Sequence, residues 1–105
     1  MSCSKFRGEY TELQQIATTF QNQSEAVGKT IQDLSSKVQN LQGGKNWEGD
    51  NANKFYEEWN NTVQPSLKRL QNALNQAGSA TKQISAKVKE AEEQSSSVFV
   101  IVINN

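Results

Sequence analysis

Apolar and small residues recur along the first half of the chain at Tyr10, Leu13, Ala17, Phe20, Ser24, Val27, Ile31, Leu34, Val38 and Leu41, with steps that alternate three and four. That spacing is a helical seam of heptad type, in which Ser24 is the polar member. The positions between are mostly Gln, Asn, Ser, Thr, Lys and Glu; Ile16 widens the stripe on one side, and Gly28 lies off it. The pattern predicts a helix over about 9–42, roughly 45–50 Å long at 1.5 Å per residue. A second stripe follows through Ala52, Phe55, Tyr56, Trp59, Val63, Leu67, Leu70, Leu74, Ala77, Thr81, Ile84, Val88 and Ala91, predicting a helix over about 51–93. From Phe55 to Leu67 its steps are all four, which shifts the seam locally away from strict heptads. Pro65 lies in the same region and lacks the N–H that would bond back along the helix, so a bend is expected near Asn61–Gln64.

Between the stripes, residues 43–50 read as a reversal. The pair Gly43-Gly44 suits a helix end, since glycine adopts the left-handed C-cap backbone without a Cβ penalty. Asn46 or Asp50 is expected to cap the N–H groups of the following helix. Trp47 sits inside this turn, and packing alone does not call for it there. After Ser95-Ser96-Ser97 comes Val98-Phe99-Val100-Ile101-Val102-Ile103. This uncharged run of β-branched and aromatic residues reads as a strand or a disordered tail over 95–105.

The architecture expected for residues 1–94 is all-α, an antiparallel helical hairpin. Each arm presents more apolar surface than the other covers. The group Phe55, Tyr56 and Trp59 is expected to be too large for one facing helix, and burying each such side chain contributes roughly 1.5–3 kcal/mol. Two hairpins are therefore expected to dimerise into a four-helix bundle. The interface would draw on Leu13, Phe20, Val27, Ile31, Leu34, Phe55, Tyr56, Trp59, Val63, Leu67 and Leu70.

Composition narrows the chemistry. Only 34% of the 105 residues are hydrophobic, where a globular domain usually has about 45–50%, which also favours association. Lysine and arginine balance aspartate and glutamate at 11 each, which argues against nucleic acid and anionic membranes as partners. The absence of histidine removes the commonest general base and metal ligand. No catalytic, cofactor or metal set is recognisable. An enzyme would need a pocket, and packed seams are expected to leave none large enough. Glu57, Glu58, Glu90, Glu92 and Glu93 read as solvated helix faces. Cys3, the one cysteine, is expected to be a free thiol near the N-terminus, the alternative being a disulfide across a dimer. No apolar leader segment is visible at the N-terminus, and no run is long enough for stable membrane insertion.

The length, the two striped segments and the central Asn46-Trp47-Glu48-Gly49, followed by Phe55, Tyr56, Trp59 and Pro65, resemble the WXG-hundred, or ESAT-like, family of small bacterial secreted proteins. The resemblance runs from about Gly8 to Glu93. It implies a hairpin that pairs as a homodimer or as a heterodimer with a related WXG protein, and export without a cleaved signal peptide by a type VII (ESX-type) secretion system. It also implies a composite signal read by the secretion ATPase, in which the Trp-x-Gly turn lies near a Tyr-x-x-x-Asp/Glu motif of the other subunit. Trp47 and Gly49 match the turn. No tyrosine follows Tyr56, and the nearest frame is Val88-x-x-x-Glu92, which keeps the acid and loses the aromatic. The alternative function is a cytosolic coiled-coil adaptor or chaperone that binds a partner helix and is not exported.

Overall fold

The structure, a computed structural model, describes the backbone of residues 2–44 and 46–104 and the side chains of residues 9–44 and 46–94. Helix α1 spans Ser2–Gly43, helix α2 spans Asp50–Glu58, a π-helical segment spans Trp59–Val63, and helix α3 spans Gln64–Asn104. Among the described residues the fold is all-α, with no strand. The side chain of Cys3, free or bridged, lies outside the described residues.

The chain divides into two compact units. One comprises Asn22–Asn75 and contains the reversal; the other comprises Met1–Gln21 with Gln76–Asn105. In each, the two arms run antiparallel, as expected for a helical hairpin. In the first unit Ser24 Oγ donates to the carbonyl of Gln71 at 3.1 Å, and further along Gln64 Nε2 donates to Ser35 Oγ at 3.0 Å. In the second, Ser85 Oγ donates to the carbonyl of Tyr10 at 2.9 Å, while Gly78 faces Ala17, Phe20 and Gln21. A serine hydroxyl on the carbonyl of a facing helix pins the axial register of two polar, closely approaching arms.

The buried positions of α1 are Ala17, Ser24, Ile31 and Val38, all members of the expected stripe. The second arm is different. Ala52, Tyr56 and Trp59 are buried as the stripe predicts, but beyond them the most buried positions are Gly78, Ser85 and Glu92. Gln71 is half-buried, while Leu70 and Ile84 are 47% and 52% exposed. Glu92, expected on a solvated face, is only 6% exposed.

The π segment explains the shift. The backbone N–H of Gln64 bonds to the carbonyl of Trp59, five residues back rather than four, so the turn absorbs one extra residue. Alternate positions of the expected stripe are thereby displaced by one, from Leu70 to Gln71 and from Ile84 to Ser85, while Leu67, Leu74, Thr81 and Val88 stay half-buried as expected. This segment falls where the bend was expected, near Asn61–Gln64, and ends two residues before Pro65, which lacks an N–H. Where Ala17, Gly78 and Ser85 line the seam, the arms approach closely. A Cβ placed on Gly78 would lie 3.0 Å from Gln21 Cγ and 3.2 Å from the Ala17 carbonyl oxygen. Gly28, expected off the seam, is half-buried.

The strand expected over the C-terminal run is not formed: the backbone of α3 stays helical to Asn104. A lone strand would leave its N–H and C=O groups without partners, whereas extending an existing helix satisfies them one residue at a time. Strand preference depends on such context.

The larger apolar side chains lie to one side of the seam. Ile16, Leu34, Phe55, Val63, Leu70 and Ile84 are exposed, and each immediately precedes a buried or half-buried residue, namely Ala17, Ser35, Tyr56, Gln64, Gln71 and Ser85. One residue is about 100° of helical rotation. Because the arms are antiparallel and face each other, an equal rotation in the same chain sense carries both stripes to the same side of the pair. Within each unit, one side is therefore apolar and the other polar.

Candidate recognition site at the helix reversal

Helix α1 ends at Gly43 without the left-handed glycine expected there; among the described residues the positive-φ glycine is Gly49, at φ 110°. The last turn of α1 is closed by backbone bonds from Gly44 N–H to the Asn40 carbonyl, 3.1 Å, and from Asn46 N–H to the Leu41 carbonyl, 3.0 Å. The Asn46 side chain also reaches back to the Asn40 carbonyl at 3.5 Å. Asn46 therefore serves the helix it follows rather than the one it precedes.

The N-cap of α2 is Gly49, with no side-chain capping bond. Its carbonyl accepts the N–H of Asn53 at 2.9 Å, and Asp50 begins the helix with its charge at the positive end of the macrodipole. Neither Asn46 nor Asp50 provides the expected cap, because the backbone swings into the helix through the left-handed region at Gly49. A Cβ at Gly49 would meet nothing within 4 Å. Glycine is needed there for its dihedral freedom, not for space.

Trp47 is fixed from two directions. Its carbonyl accepts the hydroxyl of Tyr56 at 2.8 Å. Its ring packs against Phe55 at 5.4 Å and against Tyr56 edge-on at 5.9 Å, and Phe55 and Tyr56 are themselves 5.8 Å apart. Such tilted and T-shaped contacts suit aromatic quadrupoles. Tyr56 joins this triad to a core cluster with Val38, Ala52 and Trp59, against which Leu41 and Leu67 pack. Trp47 is still 40% exposed and Phe55 41%.

Two of the three aromatics expected to need a second chain, Tyr56 and Trp59, are thus covered within this one, at 4% and 5% exposure. Trp47 packs on Tyr56, a contact that a count of facing helices does not include, while Trp59 clusters with Val38 and Ala52, against which Leu41 and Leu67 pack. Of the other residues expected at an interface, Ile31 is buried, and Leu13, Phe20, Val27 and Leu67 are half-buried. Leu34, Phe55, Val63 and Leu70 remain exposed.

The reversal brings Trp47, Gly49, Phe55 and Tyr56 together. Val88 and Glu92 fall in the other unit, where Val88 is half-buried and Glu92 buried. Sequence reasoning missed the tie between Tyr56 and the Trp47 carbonyl. The usable signal was a tyrosine one turn into the helix that follows a Trp-x-Gly reversal.

Among the described residues, open hollows lie on the surface of the unit that contains the reversal. One, of about 580 Å³, runs along α1 past Lys29, Thr30, Gln32, Asp33 and Ser36. Another, of about 340 Å³, is lined by Gln42, Asn53, Tyr56, Glu57, Asn60 and Asn61. Among the described residues, no group of three or more His, Cys, Asp or Glu is placed to hold a metal ion, and no helix is long and apolar enough to cross a membrane.

A family model named WXG100 and described as proteins of 100 residues with WXG matches residues 5–93. No curated protein and no solved structure matches the chain.

Proposed function

Since the chain belongs to the WXG100 family, we propose that it is a non-enzymatic secreted protein, exported from a bacterial cytoplasm by a type VII secretion system without a cleaved signal peptide. It acts as a dimer, of itself or with a related WXG protein, and is recognised by the secretion ATPase.

The observation that carries this reading is the state of Trp47. A tryptophan needed only for packing would be covered. This one is anchored through its carbonyl and ring edge and leaves 40% of its surface open. Such an anchored, half-exposed aromatic suits a recognition element, because little conformational entropy is lost when a receptor closes on it. Gly49 sets the backbone on which it is displayed. In this reading Val88 and Glu92 supply the second half of the export signal. Val88 is half-buried and Glu92 buried within the chain, so of the two halves the Trp47 turn is the more exposed.

The dimer draws on the one-sided apolar stripes. A face made of two parallel-running stripes, one on each arm, fits two further helices, and a second hairpin supplies them. In the unit that contains the reversal the interface then centres on Leu34, Phe55, Val63 and Leu70, rather than on the buried Tyr56 and Trp59, and in the other unit on Ile16 and Ile84.

The test is export of Trp47→Ala and Gly49→Ala variants from cells with a functional type VII system, read in culture supernatant against a lysis marker. Loss of export is expected for Trp47→Ala with the helical content of the purified variant intact. Export at the parental level sinks the proposal. Absence of the parental protein from the supernatant would favour an intracellular adaptor.

A further inference from the structure

The hollow near the reversal lies on the opposite side of the seam from the apolar stripes. Phe55 stands about 100° one way around the helix from Tyr56, whereas Asn53, Glu57 and Asn60 stand about 40–100° the other way. On α1, Gln42 is offset from Val38 in that same sense. A dimer formed through the apolar side leaves this hollow open, so it calls for its own explanation.

Its lining is chemically narrow. Gln42, Asn53, Asn60 and Asn61 contribute four carboxamides, Glu57 one carboxylate, and Tyr56 a ring. Tyr56 is 4% exposed and its hydroxyl is committed to the Trp47 carbonyl, so the accessible wall is made by the carboxamides and the carboxylate. Among the described residues no cationic side chain lines the hollow, and the Glu57 carboxylate repels anions, which disfavours phosphates and acidic peptides. There is no apolar recess to anchor a peptide side chain. Each carboxamide offers both a donor pair and an acceptor, and the carboxylate accepts only. That set matches a ligand with many neutral hydroxyl groups, each of which donates and accepts in turn. The π segment supplies Asn60 and Asn61, so the irregular turn places two of the four amides.

We propose that this hollow of about 340 Å³ binds a neutral saccharide through the carboxamides of Gln42, Asn53, Asn60 and Asn61 and the carboxylate of Glu57. The expected affinity for a short oligosaccharide is weak, with Kd on the order of 1 mM, because each contact replaces a hydrogen bond to water.

The experiment is a titration of the full-length, isotope-labelled protein with chitotriose and, separately, cellotriose, following the side-chain NH₂ resonances of Asn53, Asn60 and Asn61 by NMR. Saturable shifts at these resonances with at least one trisaccharide are expected. The double variant Asn53→Ala/Asn60→Ala changes two exposed positions. It should keep its helical content and bind at least about tenfold more weakly. No saturable shift with either sugar overturns the proposal. So does undiminished binding by the double variant, or saturation of the same resonances by trialanine at lower concentration than by the sugars, which would assign the hollow to a peptide. None of these outcomes depends on whether the protein is exported.

Discussion

Replacing Tyr56 with phenylalanine isolates one interaction at the reversal. The ring stays, with its contacts to Trp47 and Phe55, and only the hydroxyl that donates to the Trp47 carbonyl at 2.8 Å is lost. An intramolecular hydrogen bond of this kind contributes about 0.5–1.5 kcal/mol net, and a stranded buried partner raises the loss to about 1–3 kcal/mol. The stranded partner here is the carbonyl of a residue that is 40% exposed, so water can reach it. The expected loss therefore stays near the lower figure, about 1 kcal/mol. For a chain of about 100 residues that is a fall in Tm of roughly 4–8 °C. The assay is thermal unfolding followed by helical circular dichroism, with parent and variant at equal protein concentration, because association also raises Tm. A Tm unchanged within about 1 °C would show that the hydroxyl does not hold Trp47. A fall beyond about 20 °C would mean that the carbonyl is sealed from water, so that the account of a half-open tryptophan is wrong.

Three further outcomes follow from the same geometry. Leu70→Ser with Ile84→Ser alters exposed apolar positions outside the chain's own seam; the variant should remain helical but sediment as a monomer at micromolar concentration, and an unchanged dimer mass would relocate the interface. Gly49→Ala places a Cβ on a backbone at φ 110° and should cost about 1–2 kcal/mol, whereas Gly43→Ala, at a helical glycine whose added Cβ meets nothing, should stabilise by about 0.4–1 kcal/mol; equal melting shifts for the two would contradict the assignment of the strained position. Deleting Asn61 in a Pro65→Ala background should convert the π segment to α-helix with the seam still in phase, so the protein stays folded and dimeric. Deleting Asn72 instead should misphase everything after it by about 100° and unfold the far end, and equal tolerance of both deletions would refute the one-residue shift.

The first arm was legible because its stripe has no interruption: Ala17, Ser24, Ile31 and Val38 were read as inward and are inward. The second arm was legible in full as far as Trp59 and only at alternate positions beyond it: Leu67, Leu74, Thr81 and Val88 were read as stripe members and are half-buried. The run of fours from Phe55 to Leu67 signalled a departure from regular spacing, but not that a π turn would absorb a residue. Beyond it, Leu70 and Ile84 drew attention from Gln71 and Ser85 because leucine and isoleucine are the greasier members of each adjacent pair. Hydrophobicity marks a stripe edge as readily as its centre when the facing helix comes close enough to prefer glycine and serine. At the reversal, Trp47 and Gly49 were visible as special. The cap by Gly49 and the Tyr56 tie were not, since they arise from a backbone dihedral and a contact that no pattern of apolar positions encodes.

The unequal surroundings of the chain's two indoles give the protein an internal optical probe. Trp59 is almost sealed, while Trp47 meets solvent at the turn. Its emission should lie further to the red and should be quenched preferentially by iodide, leaving the light from Trp59 nearly intact. Anything that settles on the reversal would announce itself as protection from that quencher, without a label and without altering a residue.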